Sequence, residues 1–175
     1  MNSFNFTDID KNAGVTLDAP LYYLRINETY DTPHYAAKAK ARLLKMMENI
    51  RKNYPTVSFM IGISNVDGDT ANKQHVRTGR RGRPAVVVSG IPKREHVHIV
   101  VYGKGASAFC KIVRDKLNRK HACQYAFSQC ISNRWVRAIG YVYMQSYSIS
   151  IRGEFDFKDY SYMFKWERNT YSGGD

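Results

Sequence analysis

Residues 94–103 read REHVHIVVYG, and this run constrains the fold more than any other part of the chain. Side chains on a strand point to opposite faces in turn, so His96 and His98 share one face while Val97, Ile99 and Val101 share the other. A strand of this kind is anchored by its valines and isoleucine in a core, and it holds two imidazoles side by side on the face away from that core. The chain must therefore build a sheet with one apolar face and one face carrying chemistry. Glu95 falls with the valines and is an unsuitable partner for the histidines.

The segments around this strand define the fold class. LYYLRINETY (21–30) reads as a strand. Thr32 with Pro33 marks a helix start, and Tyr35, Ala36, Ala39, Leu43, Met46, Met47 and Ile50 recur at helical spacing until Pro55, with Lys38, Lys40, Arg42, Lys45, Arg51 and Lys52 on or beside the wet side. VSFMIGISNV (57–66) has strand content, as do AVVVSG (85–90) and HVHIVVYG (96–103). Residues 105–120 read as a helix with Ser107 as its cap, and Phe109, Ile112, Val113 and Leu117 at helical spacing. ACQYAFSQCI (122–131) reads as a strand, residues 133–148 as a helix with Trp135, Ile139 and Val142 on its core stripe, and SISIRGEFDF as an alternating hairpin. The order strand, helix, strand, strand, helix, strand, helix lacks the regular alternation of a parallel sheet. It predicts an α+β fold, a central antiparallel sheet with flanking helices. The domain reading is a polar N-terminal arm over 1–20 and a single domain over 21–170 with a basic loop at 67–85.

Charge points to the partner. The 27 Lys and Arg outweigh 15 Asp and Glu, a net +12, which favours a polyanion, nucleic acid before an acidic membrane surface. From Thr70 to Arg94 the chain carries Lys73, Arg77, Arg80, Arg81, Arg83, Lys93 and Arg94 and no acid, a segment suited to tracking phosphates. Within it RRGRP resembles the core of an AT-hook, although a basic hairpin tip is the plainer reading. The three cysteines form no CxxC pair and read as reduced structural thiols. With no apolar run of membrane-spanning length, the expected location is cytoplasmic, with no membrane partner.

Two histidines on one strand face supply half of a coordination sphere for a divalent metal. The helix over 133–148 offers the other half: Tyr141 and Gln145, four residues apart, share a face that also carries Arg134 and Arg137. Glu28 or Asp67 would serve in place of Gln145 if that helix docked in another register. The chain contains neither a third alternating histidine, since Val100 stands in that place, nor a GxxxxGK[ST] phosphate loop, so histidine-triad hydrolysis and ATP binding are not expected.

A strand bearing HVH, followed after a helix and a strand by a helix bearing GYVYMQ, resembles the HUH endonuclease superfamily of rolling-circle replication initiators, relaxases and single-tyrosine transposases. The resemblance spans roughly residues 20–150. It implies an HUH-endonuclease-like, split ferredoxin-like sheet, with His96 and His98 as metal ligands, Tyr141 as nucleophile and Gln145 as third ligand. It also implies Mg²⁺ or Mn²⁺ as cofactor, and single-stranded or hairpin origin DNA as substrate. A separate helicase and a host polymerase would be partners. The Tyr-x-x-x-Gln spacing is that of the single-tyrosine transposases, whereas Met144 stands where viral initiators place a lysine. Tyr143 and Tyr147, also four apart, match the two-tyrosine initiators. The reading expected is a site-specific single-strand nuclease acting through a covalent phosphotyrosine, a replication initiator before a transposase or relaxase. Its rival from another class is a nonenzymatic basic DNA-binding module.

Overall fold

The computed structural model describes residues 19–67, 73–76, 85–88, 91–121, 125–130, 142–143 and 145–153. Seven strands and two helices have been placed among them: β1 (Leu21–Ile26), α1 (Pro33–Arg51), β2 (Ser58–Asp67), β3 (Lys73–Val76), β4 (Ala85–Val88), β5 (Ile91–Tyr102), α2 (Ala106–Asn118), β6 (Ala126–Cys130) and β7 (Ser146–Arg152). Five of the strands form one sheet in the order β6-β1-β5-β2-β7, and every neighbouring pair is antiparallel. The molecule is thus α+β, as the element order predicts. β3 and β4 pair with each other as a separate two-stranded ribbon. Four residues of the stretch read as loop, Lys73–Val76, are therefore strand, because AVVV at 85–88 gives them an antiparallel partner.

β5 lies at the centre of the sheet, hydrogen-bonded to β1 on one side and β2 on the other. Its alternation is realised: Val97, Ile99 and Val101 are buried in one core with Leu24 and Ile26 of β1 and Phe59, Ile61 and Ile63 of β2. Both helices close over this face, α1 contributing Ala36, Ala39, Leu43, Met47 and Ile50, and α2 contributing Ala106, Phe109, Cys110 and Val113. Phe109 stacks on Phe59 and meets Tyr54 edge-on, locking α2 to the sheet. Cys110 is packing material here, its thiol pushed up to about 12 by burial.

The helix termini follow local chemistry. Thr32 caps α1, its hydroxyl accepting from the Tyr35 backbone N–H at 3.3 Å, with Pro33 in the first turn where no donor is missed. α2 is capped by Gly105 rather than Ser107, and the cap makes no side-chain hydrogen bond. The turn before it demands glycine: Gly103 has φ +121°, and a Cβ there would lie 2.3 Å from the Thr56 carbonyl. Two further expectations are corrected in α1. Tyr35 is 57% exposed, because it precedes the stripe that starts at Ala36. Lys40, assigned to the wet side, is buried, because it lies four residues after Ala36 and so on the stripe itself.

The helix expected over 133–148 ends earlier than predicted. Residues 142, 143 and 145 are helical, but Ser146 already begins β7, which alternates SYSISIR along the edge of β2. The hairpin read over SISIRGEFDF keeps its first strand; residues beyond 153, like the arm over 1–18, lie outside those described.

Candidate metal centre on the histidine face of the sheet

The face of the sheet opposite the helices is built by cross-strand register. In β1, Arg25 stands opposite His98 and Tyr23 opposite Val100; in β2, Gly62 stands opposite His98 and Ser64 opposite His96. Directly opposed residues project to the same face, so these side chains surround the histidine pair. The two imidazole centroids are 4.5 Å apart and the rings nearly perpendicular. His98 is buried, and His96 is half-buried.

Each ring is held through Nδ1. That of His96 donates to the Arg94 carbonyl at 2.7 Å, an acceptor only, so in the neutral ring the lone pair sits on Nε2. Nδ1 of His98 lies 2.6 Å from the Tyr23 hydroxyl, within the sheet and part-buried. Burial, and then the neighbouring His96, hold the His98 imidazole well below its ordinary pKa, so this ring is neutral at physiological pH. A neutral imidazole is the form that ligates metals.

Gln145 comes to this face through a close approach. Gly62 has no side chain, and Ser146 fills the space: a Cβ at position 62 would fall 2.1 Å from Ser146 Oγ and 3.5 Å from Val142 Cγ1. Val142 and Ser146 thus sit directly on β2 at Gly62, the residue opposite His98. The Ser64 hydroxyl, opposite His96, lies 2.9 Å from the Gln145 carbonyl and 2.8 Å from that of Val66, sharing its proton between them. Both strand pairings of β2 shift register at Ser64, so the sheet bends where Gln145 docks. Gln145 itself is buried, as is Val142.

The tyrosines separate. Tyr147 donates to Glu95 at 2.5 Å and packs against the helix-covered core, which places its phenol on the face away from the histidines. Tyr143 is half-buried on the helical segment. Tyr141 lies outside the described residues, as do Arg77, Arg80, Arg81, Arg83, Arg134 and Arg137. Lys93 and Arg94 are exposed, with Arg94 paired to Asp31; Lys73 belongs to β3. Glu28 accepts from the phenols of Tyr30, at 2.9 Å, and Tyr125. Burial, with help from that carboxylate, raises both phenol pKa values. Among the described residues, no group of three His, Cys, Asp or Glu is gathered that could hold a metal; the two imidazoles are the pair brought together.

Sequence reasoning missed Tyr23, Gly62 and Ser64. Alternation in LYYLRI places Tyr23 and Arg25 on one face, but only the register of β1 against β5 tells which face that is.

No protein-family model matches the chain, and neither the curated proteins nor the solved structures contain a match.

Proposed function

We propose that this protein is a metal-dependent, site-specific single-strand DNA endonuclease and strand transferase of the HUH type, working through a covalent phosphotyrosine as a rolling-circle replication initiator. One observation carries the reading: two imidazoles 4.5 Å apart on the central strand, with Ser64, opposite His96, bonded to the backbone carbonyl of Gln145. The donor chemistry fits a divalent cation, since His98 is neutral, His96 presents Nε2, and an amide oxygen suits Mg²⁺ or Mn²⁺. His96, His98 and Gln145 would hold the ion, with water and phosphate oxygens completing its shell. When bound, it supplies positive charge that polarises the scissile phosphate and offsets the charge developing there.

The chain's own residues perform the rest. The Tyr141 phenol, losing its proton, attacks phosphorus and forms an O–P bond as the 3′ oxygen departs and takes up a proton. The products are a 5′-phosphotyrosine and a free 3′-hydroxyl. Because the covalent link keeps the energy of the broken ester, a later 3′-hydroxyl reverses the step and rejoins strands without ATP. The free 3′ end is a primer for a host polymerase, and strand separation falls to a separate helicase. Arg25, exposed and directly opposite His98, is placed to meet a phosphate entering this face.

Gln145 also supports a second reading within the same chemistry. Tyr-x-x-x-Gln is the single-tyrosine transposase spacing, and the glutamine is buried, its backbone carbonyl bonded to Ser64 opposite His96. Mapping the nick separates the two: one site in a replicon origin marks an initiator, paired element ends a transposase.

The test of the chemistry is direct. Labelled single-stranded DNA carrying the replicon origin, incubated with the protein and Mn²⁺, should yield an adduct that survives denaturation and vanishes in Tyr141→Phe but not in Tyr143→Phe. No adduct in the wild-type protein would leave a basic DNA-binding module, and loss only in Tyr143→Phe would move the nucleophile.

A further inference from the structure

Tyr23 belongs to none of the ligand or nucleophile roles above, yet it is a phenol at hydrogen-bond distance from one of the two candidate ligands. In β1 it stands opposite Val100, diagonal to His98, and a tyrosine spans that diagonal. Its hydroxyl lies 2.6 Å from His98 Nδ1, with the ring centroids 6.1 Å apart and the planes inclined at 39°. The contact is edge to edge through one hydrogen bond and not a stack.

The two histidines differ in what their partners can do. The Arg94 carbonyl only accepts, so His96 has a single neutral tautomer compatible with its hydrogen bond. A phenol both donates and accepts, so His98 is compatible with either. A proton on Nδ1 leaves the Nε2 lone pair available as a ligand; a proton on Nε2 would block that atom. Nε2 of His98 is shielded from solvent.

From this geometry we propose that Tyr23 is a positioning residue for the metal centre: its hydroxyl, bonded to Nδ1, holds the ring of His98 in place and, in the role of acceptor, leaves Nε2 unprotonated. The inference rests on the metal-binding reading of the histidine pair, but its first consequence is present in the metal-free protein. Partners of this kind, one bond beyond the ligand, change metal affinity by about 10–100-fold in known centres. Their loss leaves the fold nearly intact, because the phenyl ring still fills its place.

The experiment uses the full chain in three forms: wild type, Tyr23→Phe, and Tyr22→Phe. Tyr22 lies on the helix-covered side of the same strand and serves as control. Nitrogen-15 NMR of the ring nitrogens reads the tautomer without metal, and titration with Mn²⁺ alone reads affinity. In the wild type, His98 should carry its proton on Nδ1. In Tyr23→Phe it should shift toward Nε2–H, Mn²⁺ affinity should fall about tenfold or more, and the melting temperature should stay close to that of the Tyr22→Phe control. A wild-type His98 protonated on Nε2, or a Tyr23→Phe protein with unchanged tautomer and affinity, overturns the role of Tyr23. A wild-type protein with the expected tautomer but no Mn²⁺ binding, matched by His98→Ala, overturns the metal reading and with it the positioning role.

Discussion

Lys40 stands where its helix calls for an apolar side chain, buried between Ala36 and Leu43 with its ammonium donating to Ser148 Oγ at 3.1 Å. Burial, and then the charge of Arg152, lower its pKa from 10.5 to about 8. The folded state therefore binds fewer protons than the unfolded state between about pH 8 and 10.5, and stability contributed by this site rises with pH across that window. Below it, the charged lysine is a standing cost. Lys40→Met should therefore stabilise the protein at pH 7 by about 1–2 kcal/mol after the lost hydrogen bond. That lead should disappear above pH 10.5, where the wild-type lysine is neutral in both states. Urea unfolding of both proteins at the two pH values measures it; a lead that persists at high pH would show that the lysine's charge is not its cause. His98 obeys the same rule of desolvation on the other face of the sheet.

At the scale of elements, the site depends on one contact between a strand and the helical end that docks on it. Ala at position 62 would drive its Cβ into Ser146, whose Cβ lies 2.6 Å away, so either β7 or the residues 142–145 must move. Gly62→Ala should cost about 1–3 kcal/mol and lower Mn²⁺ affinity by displacing Gln145. Adding Ser146→Gly removes the obstructing atoms and should restore a good part of both, as calorimetry and Mn²⁺ titration would register; a Gly62→Ala protein with wild-type stability and affinity would mean that the segment does not need this approach. The strand that carries the histidines was legible because alternation is a local property of HVHIVV, and so were α1, through Thr32, Pro33 and its stripe, and the sharing of a face by His96 and His98. The partners of the pair were not. Tyr23, Gly62 and Ser64 reach the histidines by register between strands up to 75 residues apart in sequence, which no local pattern encodes. The end of the predicted helix failed for a related reason: YMQSYS fits helical spacing, and it is pairing with β2 that turns Ser146 onward into strand.

Across the whole molecule, the sheet divides labour between its faces. α1 and α2 both close over one side; on the histidine side Met60, Val100, His98, Ser64 and Gln145 are buried, while Arg25 is exposed. The strands that hold His96 and Ser64 are also those from which the basic segment departs: β2 runs to Asp67 and β5 starts at Ile91, paired to each other, and β3 and β4 pair again farther along the same connection. Arg77, Arg80, Arg81 and Arg83 fall in the sequence between β3 and β4, at the connection of this ribbon. On the proposed function, phosphate contacts made there would add duplex affinity without touching the scissile bond. Replacing Arg80, Arg81 and Arg83 by alanine should therefore flatten the salt dependence of duplex binding by about two to three units of log–log slope, close to one counterion per lost cation. Cleavage of a short single-stranded substrate at saturating concentration should change less than about twofold, since that slope term belongs to binding alone. Fluorescence anisotropy across a salt series, run beside a single-turnover nicking assay, separates the two quantities. An unchanged slope would remove the ribbon from DNA recognition, and a nicking rate that falls with the slope would place these arginines at the reacting phosphate instead.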